Sequence, residues 1–590
     1  MVAAIRHEPF YETGIWVDRS LGIYVGWVAR KGSFADDMPI FNETGNLVLV
    51  FSGEDYPEPG IAQRLKQHGH NMDDSPASYL VHMAEEDPSF PERLNGRFHG
   101  LLTNHTTGTT TLFNDRYGMH RICFHESREA FYFAAEAKAI LTVCPQLRSV
   151  NLQSLGEFVG CGCVLENRTL FQDIHVLPPA SSWSFQNASL VRKVNYFQPQ
   201  EWEDQDELDP ESYYRELRDV FARNLPRYFN GHERVGVSLT GGLDTRMIMA
   251  WHTAPANSLP CYTFGGMFHD CQDVVLSRQV ANACRQSHQV IPVGKDFLLR
   301  FPHYAERAVY LADGCVYVNR SADLYANEQS RAIAPARMTG NYGSEVLRWS
   351  PAFSPVEPAP GLFRPEFLSC VDRASDTYSR MVQGHPVSFA AFRQAPWHHH
   401  GLLALEQTQL AVRTPYLDND LVRTVFRAPK QAIAKNDMTN SDICLRLIGE
   451  GNSTLRSIRT DRGLGGSRNG LYGNSVRQLL EFTFKAEYAY DYGMPQWVAQ
   501  VDHLMAPLHL ERLFLGRHKF CHFRVWYRDS LSTYVRETLL DPRSLARPYL
   551  DRRHLEAVVH GHLKGNRNYT TEIHTLLTME LLHRLFFDAQ

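Results

Sequence analysis

Apolar and polar positions alternate over short runs through the first 200 residues, and the period then changes. The runs Leu21–Val28, Asn46–Ser52, Gly100–Asn104, Thr109–Asn114 and Ala130–Ala134 are β-branched or aromatic and bounded by Gly, Asn, Asp or Pro, so they predict strands. Helical spacing is clearest over Ile61–Gln67 and Ala77–Glu86. This mixture predicts an α+β sandwich over residues 1–200. Residues 201–212 form an acidic, core-poor stretch that reads as a linker, ending with Asp209 as helix N-cap and Pro210 at the first helical position. From Arg234 the pattern becomes strand–helix–strand. Val235–Leu239, Cys261–Gly266 and His288–Val293 read as strands, separated by helices over Arg246–His252 and Gln272–Arg285. Such alternation predicts a parallel sheet with right-handed crossovers, whose ligands bind at the carboxyl ends of the strands. Five prolines between Trp349 and Pro365 predict an extended surface loop, a candidate lid. Residues from Ser475 onward read as mainly helical, with Phe523–Leu539 and Thr570–Phe587 strongly amphipathic.

Composition narrows the class. A chain of 590 residues is too long for one core, and 43% apolar with 21% charged residues is the balance of a globular protein. A formal net charge of −5 gives no electrostatic footprint for nucleic acid. The apolar runs are too short to span a bilayer. Eleven cysteines without paired spacing, and a beginning that carries Arg6, His7, Glu8 and Pro9, lead us to expect reduced thiols and a cytoplasmic protein. Cys161-Gly162-Cys163 is a lone thiol pair, not a zinc site. His398-His399-His400 lacks metal-ligand spacing and is expected to begin a helix at the surface.

The chemistry concentrates in Ser238-Leu239-Thr240-Gly241-Gly242-Leu243-Asp244-Thr245, where a buried strand gives way to a tight loop and a helix start. Free backbone N–H groups and the positive end of the helix dipole make such a loop an anion site, and glycines let the main chain approach phosphate closely. Thr240 and Thr245 can donate hydroxyls, and Asp244 can hold a magnesium ion that bridges phosphates. No Walker A pattern occurs in the chain. The loop resembles the PP-loop, S-G-G-x-D-S, of enzymes that cleave ATP between the α and β phosphates, with Thr at both hydroxyl positions.

The whole chain resembles the asparagine synthetase and β-lactam synthetase family. Phe51-Ser52-Gly53-Glu54-Asp55-Tyr56, Leu94-Asn95-Gly96-Arg97-Phe98, Asp115-Arg116-Tyr117-Gly118 and Ala134-Ala135-Glu136-Ala137-Lys138-Ala139-Ile140-Leu141 match the order and spacing of the glutaminase-type domain's landmarks. The resemblance implies an Ntn-hydrolase-like sandwich, followed by an α/β parallel-sheet PP-loop domain over 213–590 with a helical C-terminal extension. Val2 stands where the family's glutaminases carry a nucleophilic cysteine, and Ser52 replaces an oxyanion-binding Asn, so glutamine hydrolysis is not expected.

In the second half the resemblance implies that Thr240, Gly241, Gly242, Asp244 and Thr245 hold pyrophosphate and magnesium, while Leu239 and Phe264 flank adenine. Met338-Thr339-Gly340-Asn341-Tyr342-Gly343-Ser344-Glu345 resembles the family's second motif. With one inserted residue, Glu345 becomes the second metal carboxylate, Gly340 contacts nucleotide and Tyr342 takes the place of a tyrosine base. A phenol has a pKa of about 10 and needs a partner to act near neutrality. Ala411 occupies the place of the Glu that would orient it, and Glu406 lies a turn and a half away. Arg413, in Ala411–Asp418, is more often a structural ion-pair partner than a ligand. The family's charge-stabilising lysine is missing from Leu455–Gly466, where Arg459 or Arg462 can supply the positive charge.

These features imply an ATP- and Mg²⁺-dependent synthetase that adenylates a small-molecule or peptide carboxylate and passes the acyl group to an amine, with a homodimer possible. Two other readings stay open: an intramolecular amide-forming enzyme like β-lactam synthetases or lasso-peptide cyclases, and a nucleotide-binding protein without catalysis. A PP-loop RNA-modifying enzyme is disfavoured by the charge.

Overall fold

The computed structural model describes residues 1–590 apart from 431–432, 434–438, 466–470, 506–514 and 589–590; for 471–474, 476–477 and 504–505 it describes the backbone alone. The first 200 residues carry three antiparallel sheets. A hairpin pairs Tyr11–Asp18 with Ile23–Arg30, and Phe131–Ala134, Cys123–Glu126 and His175–Val176 form a three-stranded sheet. The largest sheet runs in the order Ser189–Asn195, Ser181–Gln186, Thr109–Asn114, Gly96–Asn104, Leu47–Asp55, Ile40–Phe41. Its interior strand Leu47–Asp55, next to the edge strand Ile40–Phe41, buries five successive side chains, Leu47 to Phe51, as expected where apolar layers cover both faces.

A five-stranded parallel sheet follows, in the order His288–Pro292, Cys261–Gly265, Val235–Ser238, Ala336–Met338, Ala411–Arg413. The first strand in sequence lies at the centre. The chain steps outward twice on one side, then crosses back to build the other. That reversal makes the carboxyl end of Val235–Ser238 a topological switch point, where loops diverge and leave a crevice. The loop Leu239–Leu243 occupies it, flanked by the segments that follow Gly265 and Met338.

The acidic stretch 201–212 is largely exposed, as expected of a core-poor segment, but it is anchored to the body of the protein. Trp202 is buried against Phe197, Phe392 and Phe426, and the Leu208 N–H donates to the Arg427 carbonyl. Its end is as expected: the Asp209 carboxylate accepts from the Glu211 and Ser212 N–H groups, capping helix Pro210–Asn224. The proline-rich segment 349–364 is irregular, but it is pinned and not a lid. Phe353, Leu362 and Phe363 are buried, and Phe363 bridges to Leu550. Phe523–Leu539 is not one helix, breaking into Phe523–Arg528 and Ser532–Leu539 around Asp529. Helix Thr570–Leu582 is buried all round instead of amphipathic, because it packs among second-half helices in a core that also includes Leu155, Phe158, Val371 and Trp526.

Candidate functional site: the crevice at the carboxyl ends of the parallel strands

Side-chain hydrogen bonds fasten the loop at the end of its strand. Val237 ends in the sheet between Cys261 and Met338, and the Thr263 hydroxyl takes the Leu239 carbonyl at 3.0 Å. Thr240 is exposed and Gly242 half-buried, while Thr245 is buried in the first turn of helix Asp244–Trp251. The Thr240 and Thr245 hydroxyl oxygens lie 3.4 Å apart, and the Thr240 N–H donates to the Thr245 hydroxyl oxygen at 3.3 Å. The two hydroxyls predicted to grip phosphate therefore share one corner of the loop.

Glycine is required at two positions of the facing segment. A Cβ on Gly340 would lie 2.8 Å from the Asp244 Cβ, and one on Gly343 would lie 2.7 Å from the Asp244 Cγ. The segment is locked by the Thr339 hydroxyl, which donates to the Asn341 side-chain oxygen at 2.9 Å, and by the Thr414 hydroxyl on the Asn341 carbonyl at 2.9 Å. Close approach brings Glu345 to Asp244: burial raises the Asp244 pKa, and the negative charge of Glu345 raises it further. Arg348 opposes this, donating from Nη1 to Oδ1 at 2.6 Å and from Nη2 to Oδ2 at 3.0 Å. The Tyr416 hydroxyl fixes the same residue from behind by donating to the Asp244 carbonyl at 2.6 Å. Burial also works to raise Glu345, but His399 at 3.2 Å and the Ser344 hydroxyl, donating at 2.7 Å, hold its pKa below the ordinary value.

Two carboxylates that feel each other's charge are the hard donor chemistry that a magnesium ion prefers. Each Asp244 oxygen keeps a second lone pair beside its bond to Arg348, so the bidentate pair and a metal are compatible. The fit is sound.

Three residues that sequence reasoning missed complete the crevice. Asp273, at the start of helix Gln272–Ala283, accepts the Gly241 N–H at 2.7 Å. Its pKa is pushed up to about 6 by burial, with Asp461 adding to the shift. Arg246 is buried and donates to the Ile458 carbonyl at 2.5 Å, the Gly241 carbonyl at 3.1 Å and the Arg459 carbonyl at 3.2 Å. It ties the 458–465 segment to the loop, which sequence spacing alone does not show. Arg348 lies one turn beyond the motif that carries Glu345. Its signal was faint: a basic residue three positions after an acid on a short helix.

The structure brings Thr240, Gly241, Gly242, Asp244, Thr245, Gly340 and Glu345 together and corrects other assignments. Leu239 is fully buried. Phe264 is half-buried beneath Phe520 and the Arg337 guanidinium. Tyr342 is buried, and burial raises its phenol, the opposite of what a base needs. Glu406 accepts from Arg337 at 2.7 Å inside the protein and is committed there. Of the two arginines offered for the missing lysine, Arg462 is exposed and stacks over Phe484 at 4.5 Å, while half-buried Arg459 lends its carbonyl to Arg246. Gly466 lies outside the described residues. Arg413 is a structural partner, paired with Glu54 of the first sheet at 2.7 Å. The three histidines lead into helix His400–Gln409 as expected, but they are half-buried. His398 stacks on Phe353, His399 meets Glu345, and burial drives the His400 pKa well down.

In the first half, Ser52 Oγ lies 2.9 Å from His120 Nε2 at the edge of a largely apolar cavity of about 420 Å³ that Val2 also lines. Burial pushes the Cys123 thiol up, away from nucleophilic thiolate character.

Asp273 gives a stability prediction. It is harder to ionise folded than unfolded, so its contribution is fully favourable below the unfolded carboxylate value of about 3.9 and is lost as pH rises through about 6. Asp273→Asn is therefore expected to raise the thermal midpoint clearly at pH 8 and much less at pH 5. A gap independent of pH would contradict this assignment.

An antiparallel first half is followed by a parallel-sheet second half with a glycine loop at its switch point. Residues 1–197 match the model of the glutamine amidotransferase domain family. The chain is 22% identical over 269 residues to the glutamine-hydrolyzing asparagine synthetase 1 of Bacillus subtilis (strain 168), covering 44% of this chain and 42% of that protein. It is 24% identical over 251 residues to asparagine synthetase 2 of the same organism, covering 38% of this chain and 32% of the relative. A probable glutamine-hydrolyzing asparagine synthetase of Schizosaccharomyces pombe is 22% identical over 225 residues, covering 38% and 35%. The chain is thus similar to these asparagine synthetases, and the match spans less than half the length of each of them. Among solved structures, a glutamine phosphoribosylpyrophosphate amidotransferase from B. subtilis aligns with a TM-score of 0.22 and 12% identity, over 36% of this chain and 46% of that one.

Among the described residues no helix is long and apolar enough to cross a membrane.

Proposed function

We propose that the chain is an ATP-dependent, AMP-forming carbon–nitrogen ligase, with the Thr240–Thr245 loop as the grip on the departing diphosphate of a PP-loop domain spanning 213–590. The observation that carries this reading is the convergence of Asp244, Glu345 and two hydroxyls on a glycine loop at the switch point of a parallel sheet. The Gly242 N–H, the Thr240 and Thr245 hydroxyls and the start of helix Asp244–Trp251 would bind phosphate oxygens. Magnesium, bound by Asp244 and Glu345, would neutralise phosphate charge. Arg348 keeps Asp244 oriented and favours its ionised form, and Arg246 holds the 458–465 segment over the loop. The carboxylate oxygen of the substrate attacks the α-phosphorus, pyrophosphate leaves, and an amine then displaces AMP from the acyl-adenylate. Positioning and fixed electrostatics supply the rate.

The amine is ammonia or a substrate amine in this proposal, not ammonia released from glutamine. Val2 offers no sulphur at the cavity, and Cys123 is buried with its thiol held protonated. Glutamine-dependent asparagine formation is accordingly not proposed. An intramolecular reaction is the second reading, because the family positions around Ala411 and Leu455–Gly465 depart from a plain asparagine synthetase. Exchange of radiolabelled pyrophosphate into ATP across a panel of amino acids, peptides and small carboxylic acids tests the class. Acid-dependent exchange is expected. Saturable ATP binding with no exchange for any acid would instead mark a nucleotide-binding protein without catalysis.

A further inference from the structure

Outside the crevice, three segments of the first half converge on a cluster of metal-type donors. Glu43 sits on the turn between Ile40–Phe41 and Leu47–Asp55, a turn made rigid by the Asn42 side chain, which accepts the Leu47 N–H at 3.0 Å and donates to Asn46 at 2.8 Å. His70 follows helix Ile61–Gln67, its N–H bonded to the Leu65 carbonyl at 3.1 Å. His82 and Glu85 lie three residues apart on helix Tyr79–Glu86, hence on one face. One donor atom from each of the four lies within 4.8 Å of every other.

The spacing is closer than that limit. His70 Nδ1 and His82 Nδ1 each lie 3.4 Å from a Glu43 oxygen, and they lie 3.8 Å and 4.0 Å from Glu85 Oε2. A four-coordinate ion with bonds of about 2.0–2.1 Å separates its donors by roughly 3.3–3.4 Å; each histidine lies at that distance from one of the two Glu43 oxygens, and the contacts to Glu85 are slightly longer. His82 supplies an independent sign of a ligand. Its side chain is only 2% exposed, yet Nδ1 has no hydrogen-bond partner and points into the cluster. A buried ring nitrogen is rarely left unpaired, because the lost hydration is not recovered. The outer groups are arranged as for a bound metal. Glu86 lies 3.4 Å from His70 Nε2, the nitrogen opposite the cluster, and the Asn71 N–H donates to Glu43 Oε1 at 2.7 Å. A carboxylate on the far nitrogen is what fixes the tautomer and orientation of a ligating imidazole.

We propose that Glu43, His70, His82 and Glu85 form a structural site for a divalent ion of the zinc class. Two imidazoles select a borderline metal over magnesium or calcium, and four protein donors leave no open position for catalysis. Two carboxylates with two neutral imidazoles balance the charge of the ion. The metal joins the turn at Glu43, the segment at His70 and helix Tyr79–Glu86 into one unit. It takes no part in the chemistry of the crevice, so its test stands apart from the ligase reading.

The test uses the full chain without an affinity tag, stripped with EDTA and titrated with Co²⁺ and then Zn²⁺. One equivalent of Co²⁺ is expected to give the strong visible bands of a four-coordinate site, to be displaced by Zn²⁺, and to raise the thermal midpoint. His70→Gln and Glu85→Gln, both away from the buried core, should each weaken Co²⁺ binding by more than the roughly 10–100-fold that loss of an outer-shell partner costs, with the midpoint of the stripped protein unchanged. Absence of the bands at saturating Co²⁺, or equal binding by both variants, would overturn the site and leave a network of His–Glu ion pairs. Should one variant unfold, the other still decides.

Discussion

Asp244→Asn is expected to lower ATP–pyrophosphate exchange by about 10²–10³-fold, the range seen when one preorganised charge-stabilising group is removed from an active site. The substitution keeps the shape of the side chain and one acceptor for Arg348, and the Tyr416 bond is to the main chain and survives. Burial makes the Asp244 charge costly, but the amide NH2 then faces one guanidinium nitrogen of Arg348, so the thermal midpoint should fall. Circular dichroism should stay that of the parent chain. The loss is of charge, not of structure. Full exchange activity in a folded variant would remove Asp244 from the site.

The second large effect is on stability. Arg413 ends the last parallel strand and donates from Nη2 to Glu54 Oε1 at 2.7 Å and from Nε at 3.0 Å, with its Nη1 on the Asn230 carbonyl at 2.9 Å. The side chains are 5% and 12% exposed, so neither charge has water to fall back on. Glu54→Ala strands the guanidinium and is expected to destabilise by about 3–5 kcal/mol, read as a lower urea midpoint of the transition in which the two sheets separate. The double variant Glu54→Leu with Arg413→Met should recover much of that, because replacing both partners leaves no orphaned charge. Burial acts to raise Glu54, but Arg413 outweighs it and the net shift is downward. Its stabilisation is therefore present above the unfolded carboxylate value and is lost as pH falls through the depressed folded one. Equal stability of Glu54→Ala and the parent at pH 7 would contradict this reading.

Period and punctuation made much of the framework legible. Thr109–Asn114 and Ile61–Gln67 are observed with the expected bounds, and Val235–Ser238, Cys261–Gly265 and His288–Pro292 fall within a residue of theirs. Short strands such as Ala336–Met338 and Ala411–Arg413 were hidden, because three residues show no alternation and their strand state comes from pairing with distant neighbours. The loop and its facing motif could be read because glycines, hydroxyls and acids are clustered in sequence. Asp273, Arg246 and Arg348 could not, since each acts through a partner 5 to 213 positions away, at 5 for Arg246 with Gly241 and 213 with Arg459. Burial decided the rest. Tyr342 and Leu239 have plausible side chains for their roles, and only packing shows how deeply both are buried.

A crystal structure of the full chain with magnesium and a non-hydrolysable ATP analogue tests the central claim most directly. The account predicts the β- and γ-phosphates within hydrogen-bond reach of the Gly242 N–H and the Thr240 and Thr245 hydroxyls, with the metal on Asp244 and Glu345. Nucleotide seated elsewhere on the chain, with the loop empty at saturating analogue, would contradict it.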